Sequence, residues 1–262
     1  MIESTKNPTV KRVARLKQRP EREATGLALL EGPQVVREAV AHAADTIEEL
    51  YFTSEGFERH PGIAEAASAA GIDVEFASDA ALAAMADTRT PQGVLAVGRQ
   101  TPVRLRDAFE PGTRLVVVLD EVRDPGNAGA IIRAADAAGA DAVILTGSSV
   151  DPYNPKVVRA TTGSIFHLRV STGADLQSAA EAVRQAGLVL TAADMHGEPL
   201  PSADLAGPTA WLFGNEAHGL SAEARTLADR TLAVPIYGAA ESLNLATAAS
   251  VCLYASAFAQ RR

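Results

Sequence analysis

The chain has one cysteine, no clustered histidines and no long apolar run, and each shortage excludes a class of protein. Cys252 alone cannot form an internal disulfide or a Cys-rich metal site, which points to a reducing setting. The five histidines are scattered and show no HExxH or other ligand spacing, so no metal is expected. Leu115 to Leu119, Ala142 to Leu145 and Val251 to Ala259 fall far short of the ~18 residues of a membrane span. The N-terminal MIESTKNPTVKRVARLK lacks the apolar core of a signal peptide. A cytoplasmic protein with no membrane association is the expectation.

What is present is ample apolar material. With 47% hydrophobic residues, 262 residues can bury one large core or two smaller ones. The net charge of −8 argues against indiscriminate coating of nucleic acid, yet it hides an asymmetry. Between Met1 and Arg22, seven basic residues (Lys6, Lys11, Arg12, Arg15, Lys17, Arg19 and Arg22) oppose Glu3 and Glu21, so this segment carries +5 and the rest −13. Such a run reads equally as a solvated helix face or as a nucleic-acid contact.

Apolar clusters alternate with helix-like stretches throughout, the pattern of an α/β protein. In a first run, helices are expected at Gly32 to Ala44, Ile63 to Ala70 and Asp79 to Ala86, the last capped by Asp79. Strands are expected at Glu49 to Thr53, Ile72 to Phe76 and Gly93 to Val97. A polar connection, Arg99 to Thr113, holds two prolines and reads as a linker. The expected division is therefore 1–98, a linker at 99–113, and a second domain at 114–262.

That second domain opens with LVVVLDEV, Leu115 to Val122, a buried parallel strand. Further strands are expected at Ala142 to Leu145, Phe166 to Val170, Leu188 to Ala192, Ala210 to Phe213 and Thr231 to Val234. Helices are expected around Pro155 to Thr162, at Asp175 to Ala186, and from Asn244 to the end. A phosphate loop finds no support: Gly126 and Gly129 are spaced GxxG, and neither GxGxxG nor GxxxxGK[ST] occurs near them.

Three stretches place polar residues where strands end: DPGNAGAIIR (Asp124 to Arg133), LFGNEAHGLS (Leu212 to Ser221) and VPIYGAAESLNLA (Val234 to Ala246). In a parallel sheet all three would lie at the carboxyl edge, where α/β proteins bind ligands. Taken singly, Asn127 could form an Asx turn, and Gly214 and Gly219 could be turn glycines.

In order and spacing the three resemble motifs 1, 2 and 3 of the SpoU (TrmH-like) RNA ribose 2′-O-methyltransferases, a branch of the SPOUT superfamily. Asn127 with Arg133, Phe213 to Leu220, and Ser242 to Asn244 carry the likeness. LLEGPQVVREAV (Leu29 to Val40) and DTRTPQGVLAV (Asp87 to Val97) resemble, more loosely, the family's ribosomal-protein-like substrate-binding domain. The resemblance implies a small N-terminal RNA-binding α/β domain, a mostly parallel C-terminal domain with a trefoil knot, and a homodimer. The knot would override the rule that true knots are essentially absent.

The resemblance also implies a reaction: transfer of a methyl group from S-adenosylmethionine (AdoMet) to a ribose 2′-hydroxyl of RNA, ribosomal RNA foremost. By the same resemblance the cofactor contacts fall to Thr146, Gly147, Phe213, Gly214, Asn215, Glu216, Gly219, Val234, Ile236, Ser242, Leu243 and Ala246. The catalytic set becomes Arg133, Asn127, Glu216 and Asn244, and RNA contacts fall to Lys6, Lys11, Arg12, Arg15 and Arg133. Arg133 suits a phosphate clamp better than a base, since a guanidinium with pKa above ~12 does not deprotonate a hydroxyl near neutrality. The alternatives are a transfer-RNA substrate, a non-catalytic RNA-binding protein on the same fold, and a nucleotide-dependent oxidoreductase, which would need the absent glycine fingerprint. Where family motif 3 often has serine two residues after its asparagine, this chain has Ala246. His218 reads as a loop residue, Cys252 as a packed small residue, and His42, His60, His167 and His196 have no evident partners.

Overall fold

The computed structural model describes residues 1–261. The fold divides into two compact units, one comprising 1–101 and 151–167, the other 102–150 and 168–262.

The first unit opens with α1 (Pro8–Arg15), capped by the Asn7 side chain on the Thr9 amide, and α2 (Arg19–Thr25), which stops at left-handed Gly26. Then follow β1 (Leu27–Glu31), α3 (Pro33–His42), β2 (Ile47–Phe52), α4 (Ser54–Arg59), α5 (Pro61–Ala69), β3 (Val74–Phe76), α6 (Asp79–Met85) and β4 (Val94–Arg99). The sheet order is β1-β4-β2-β3, with β2 and β3 parallel and the other pairs antiparallel. Val10, Val13 and Leu16 pack with Leu29, Tyr51, Leu82, Met85 and Val97 in one core. Patterning finds three of the four strands. It misses β1, whose LALLE lacks alternation because four of its five residues are buried. The cap of α6 is Ser78, whose hydroxyl accepts from the Ala81 amide, and Asp79 is the first helical residue.

The second unit takes over at Pro102. Val103 bridges to Ser171, and Ala108, in a short 3-10 turn, is fully buried, so the polar stretch expected as a linker contributes to this core. β5 (Leu115–Asp120), α7 (Pro125–Ala138) and β6 (Ala142–Thr146) follow. The chain then joins the first unit again for α8 (Pro155–Thr161), where Val157 and Val158 are fully buried, before resuming with β7 (Arg169–Ala174). Phe166, expected in that strand, lies in a 3-10 turn before it. The remaining elements are α9 (Leu176–Gln185), β8 (Val189–Pro199), β9 (Thr209–Phe213), α10 (Ala222–Leu227), β10 (Arg230–Ala233) and α11 (Leu245–Gln260).

The strands of this unit pair in parallel, in the order β10-β8-β9-β5-β6-β7. β6 and β9 are buried at every position, as a sheet covered on both faces requires. Parallel pairing puts the loops after β5, β9 and β10 at the same edge.

Candidate active site

The loop after β5 begins with Glu121 at φ 55°, a left-handed conformation unusual for a side chain of its size. Its carboxylate accepts from the Ser148 amide at 2.7 Å and from Arg123 at 2.9 Å, contacts that hold its pKa below the ordinary glutamate range. Gly147 suits this place: its φ is +60°, which favours glycine, and a Cβ would stand 2.3 Å from Glu121 Oε1 and displace that side chain. Asp120, the last residue of β5, is half-buried, and burial raises its carboxyl above the ordinary value although Thr146 Oγ1 donates to it at 2.7 Å. Asp124 then caps α7 by accepting from the Asn127 amide.

The loop after β9 folds into a tight turn closed by reciprocal backbone bonds between Asn215 and Gly219. A Cβ on Gly214 would meet the Gly219 and Leu220 backbone at 2.5–2.7 Å, so this glycine is fixed by the turn itself. The Asn215 side chain donates Nδ2 to the Glu121 carbonyl at 2.8 Å, while its Oδ1 accepts from the amides of Ala217 and His218. Glu216 reaches back and accepts from the amides of Arg123 (3.2 Å) and Asp124 (3.0 Å), and from Asn127 Nδ2 at 3.4 Å. Asn127 Oδ1 in turn accepts from Asn244 Nδ2 at 3.0 Å, and Asn244 caps α11 through the amides of Ala246 and Thr247. One chain of side-chain contacts, Glu216 to Asn127 to Asn244, thus joins all three loops.

Beside this junction are two cavities, of about 660 and 430 Å³, that share the wall from Asn215 to Gly219. Both lie within the ~300–1,000 Å³ usual for small-molecule sites. The larger has Asp120, Glu121 and Asp124 on its other side; the smaller has Val234, Ile236, Ser242 and Leu243. Of the residues expected to hold a cofactor, Asn215, Glu216, Gly219, Val234, Ile236, Ser242 and Leu243 line the smaller cavity. Phe213 is in the core, stacked on Trp211, and Thr146, Gly147, Gly214 and Ala246 line neither cavity.

Arg133 is apart from the junction. It lies six residues along α7 from Asn127, about 9 Å along the axis, exposed, and among the described residues it makes no hydrogen bond or ion pair. In the N-terminal segment Lys6 and Lys11 are exposed, whereas Arg12 is paired with Glu49 at 2.8 Å and Arg15 with Glu21 at 3.3 Å. Arg22, counted as surface charge in the sequence, is buried: it holds Asp151 at 2.6 Å and the carbonyls of Leu16 and Lys17 at 2.9 Å.

Sequence reasoning misses Asp120 and Glu121, whose only sign is their place between a strand end and the first motif. It also misses Asp194 and Arg225, which pair at 3.3 Å on the rim of the smaller cavity. His218 lies on the loop that lines both cavities, as expected. Cys252 is buried, and burial pushes its thiol up to about 12, which suits packing and not nucleophilic chemistry.

The SpoU rRNA Methylase family model matches residues 114–254, and the model of an MRM3-like substrate binding domain matches 7–96. The chain belongs to the SpoU rRNA methylase family. It is 36% identical over 254 residues, 97% of each chain, to the 23S rRNA (guanosine(2553)-2′-O)-methyltransferase RlmP of Bacillus subtilis. Among solved structures, the AdoMet-bound rRNA methyltransferase of Sinorhizobium meliloti matches with a TM-score of 0.85 and 32% identity, covering 97% of this chain and 96% of that one. The AdoMet complex of the SpoU methyltransferase AviRb from Streptomyces viridochromogenes matches with a TM-score of 0.83, also at 32% identity, covering 96% and 98%. The three joined loops all fall within the span that the SpoU family model matches.

Proposed function

We propose that this protein transfers the methyl group of AdoMet to a ribose 2′-hydroxyl of ribosomal RNA. The observation that carries the reading is the Glu216–Asn127–Asn244 junction, which brings three motif loops to one sheet edge beside a cavity of cofactor size. The cavity wall suits AdoMet: it offers the apolar faces of Val234, Ile236 and Leu243 for a base, with loop backbone and Ser242 for its polar groups. When bound, AdoMet supplies an electrophilic methyl on a sulfonium. The chain's own residues hold and orient. Glu216 fixes the first loop through two amides, and the Asn127 and Asn244 amides set the position of α7 against the start of α11.

Arg133, exposed and unengaged, is free to grip an RNA phosphate and to stabilise charge developing on the attacking oxygen. Lys6 and Lys11, with Arg12 and Arg15, extend the RNA-holding surface of the N-terminal domain. The working division keeps 1–98 for RNA and 114–262 for methyl transfer through a knotted C-terminal segment, with 99–113, expected as a linker, divided between the two units at Pro102 and 151–167 returned to the first. A homodimer in the cytoplasm completes the reading. Support for the dimer comes from α11, where Val251, Tyr254 and Phe258, spaced along one helix face, are 40%, 37% and 63% exposed.

Mapping 2′-O-methyl groups at nucleotide resolution, in cells with and without the protein, tests the function. Loss of one methyl in ribosomal RNA is expected. A loss confined to transfer RNA would move the substrate, and no change in either would favour a binding protein that has kept the fold.

A further inference from the structure

Glu38 and His42 are one helical turn apart at the end of α3, and His167 closes the excursion that contains α8. Both imidazoles point their Nε2 at the same carboxylate oxygen, Glu38 Oε2, at 3.5 Å from His42 and 3.3 Å from His167. Their rings meet edge to face with centroids 4.4 Å apart, and all three ligand atoms lie within 4.8 Å of one another. These separations exceed the ~2.7–2.9 Å of a charge-assisted hydrogen bond. The two nitrogen–oxygen separations match the edge of a tetrahedron built on ~2.0–2.1 Å metal bonds, which is about 3.3 Å.

The surroundings hold this arrangement in place. Glu38 Oε1 accepts from Gln34 Nε2 at 3.1 Å, which leaves Oε2 turned to the histidines. Gly163, at φ +104°, lets the excursion press on Glu38: a Cβ there would stand 2.3 Å from Glu38 Cγ. The two histidines are partly open to solvent, so an ion has a route in.

We propose that Glu38, His42 and His167 form a binding site for a zinc-like divalent transition metal, with water in the fourth position, that pins residues 151–167 to α3. Imidazole and carboxylate donors suit Zn²⁺, Co²⁺ and Ni²⁺. The site lies outside the cavities of the methyl-transfer reading and does not depend on it. No ligand motif is visible in the sequence because only the Glu38/His42 pair is local and the third ligand comes from a distant segment.

The test uses untagged full-length protein stripped with a chelator, titrated with Zn²⁺ by calorimetry and with Co²⁺ by visible absorption. One equivalent of each is expected to bind, with a four-coordinate cobalt spectrum and a rise in melting temperature. His42→Ala and His167→Ala should each weaken binding at least about tenfold, the range that loss of an orienting partner alone can reach. If the His42→Ala/His167→Ala protein binds as the wild type does, the assignment is overturned. X-ray absorption on the zinc-loaded wild type requires no variant: two imidazoles in the ligand shell are expected, and one or none overturns the site.

Discussion

Glu216 illustrates how a charged side chain can matter through the backbone it holds in place. Its carboxylate accepts from two backbone amides of another loop, and hydrogen bonds to charged groups contribute about 1.5–3 kcal/mol each. Glu216→Ala should therefore weaken AdoMet binding by tenfold or more, measured by calorimetry on folded protein, while Glu216→Gln, which keeps one acceptor, should lose less. Arg133 is expected to behave in the opposite way. Arg133→Ala and Arg133→Lys should both lose most of the single-turnover rate with AdoMet affinity unchanged, because lysine keeps the charge but not the planar fork; near-full rate in Arg133→Lys would reduce the role to a point charge. Glu216, Asn127, Asn244 and Arg133 can all be named from the sequence, since motif spacing preserves identity. Their arrangement cannot: Asn127 and Asn244 are 117 residues apart, and no local pattern pairs them. Gly214 shows the same limit, because a side chain there would collide with the backbone of its own turn, a closure between residues 214 and 220 that no local pattern announces.

Among the elements, α11 is held to the sheet by a buried polar contact. Trp211, fully buried on β9, donates its indole N–H to Ser256 Oγ at 2.9 Å. Ser256→Ala strands that donor and should cost about 1–3 kcal/mol in denaturant unfolding; a smaller cost would mean that the indole finds another acceptor. The end of β5 makes a pH-dependent contribution. Because burial raises the Asp120 carboxyl, the folded state holds its proton more tightly than the unfolded chain. Stability from this group is greatest below the ordinary aspartate range and falls as pH rises through the raised value. Asp120→Asn should remove that fall and be relatively more stable at neutral pH, as paired unfolding curves across the acid-to-neutral range would show. Caps make the ends of several elements legible, Asn244 and Asp175 among them, because a side-chain acceptor next to an apolar period is a local signal. β1 and the short α4 and α10 give no such period. The 3-10 turn before β7 displaces that strand by three residues, since FHLRV is apolar enough for either start.

For the whole molecule, a positive segment on an acidic chain is the feature most open to test. With Arg22 buried and Arg12 and Arg15 paired, Lys6 and Lys11 stand exposed and, among the described residues, without an ion-pair partner, available to phosphate. Reversing both to glutamate should weaken RNA binding and flatten log affinity against log salt by about 0.7 to 0.9 for each phosphate no longer neutralised; an unchanged slope would place the RNA elsewhere. Reversal is a cleaner probe than deleting 1–98, which would leave Val157, Val158 and Tyr153 without the unit that buries them. The two-run α/β layout is readable from the alternation of apolar and helical stretches, but the return of 151–167 to the first unit is not, because helix period says nothing about which core a helix joins.

That return also sets a clock on synthesis. Arg22 leaves the ribosome 129 residues before Asp151, its counter-ion. At roughly 5–20 residues per second the wait is on the order of ten seconds, during which the nascent first unit holds a guanidinium it can solvate but not yet bury. The earliest part of the chain to be made is thus completed by a later one, and a stalled or shortened transcript would release a domain that has the strands of its sheet and lacks the partner for its buried cation.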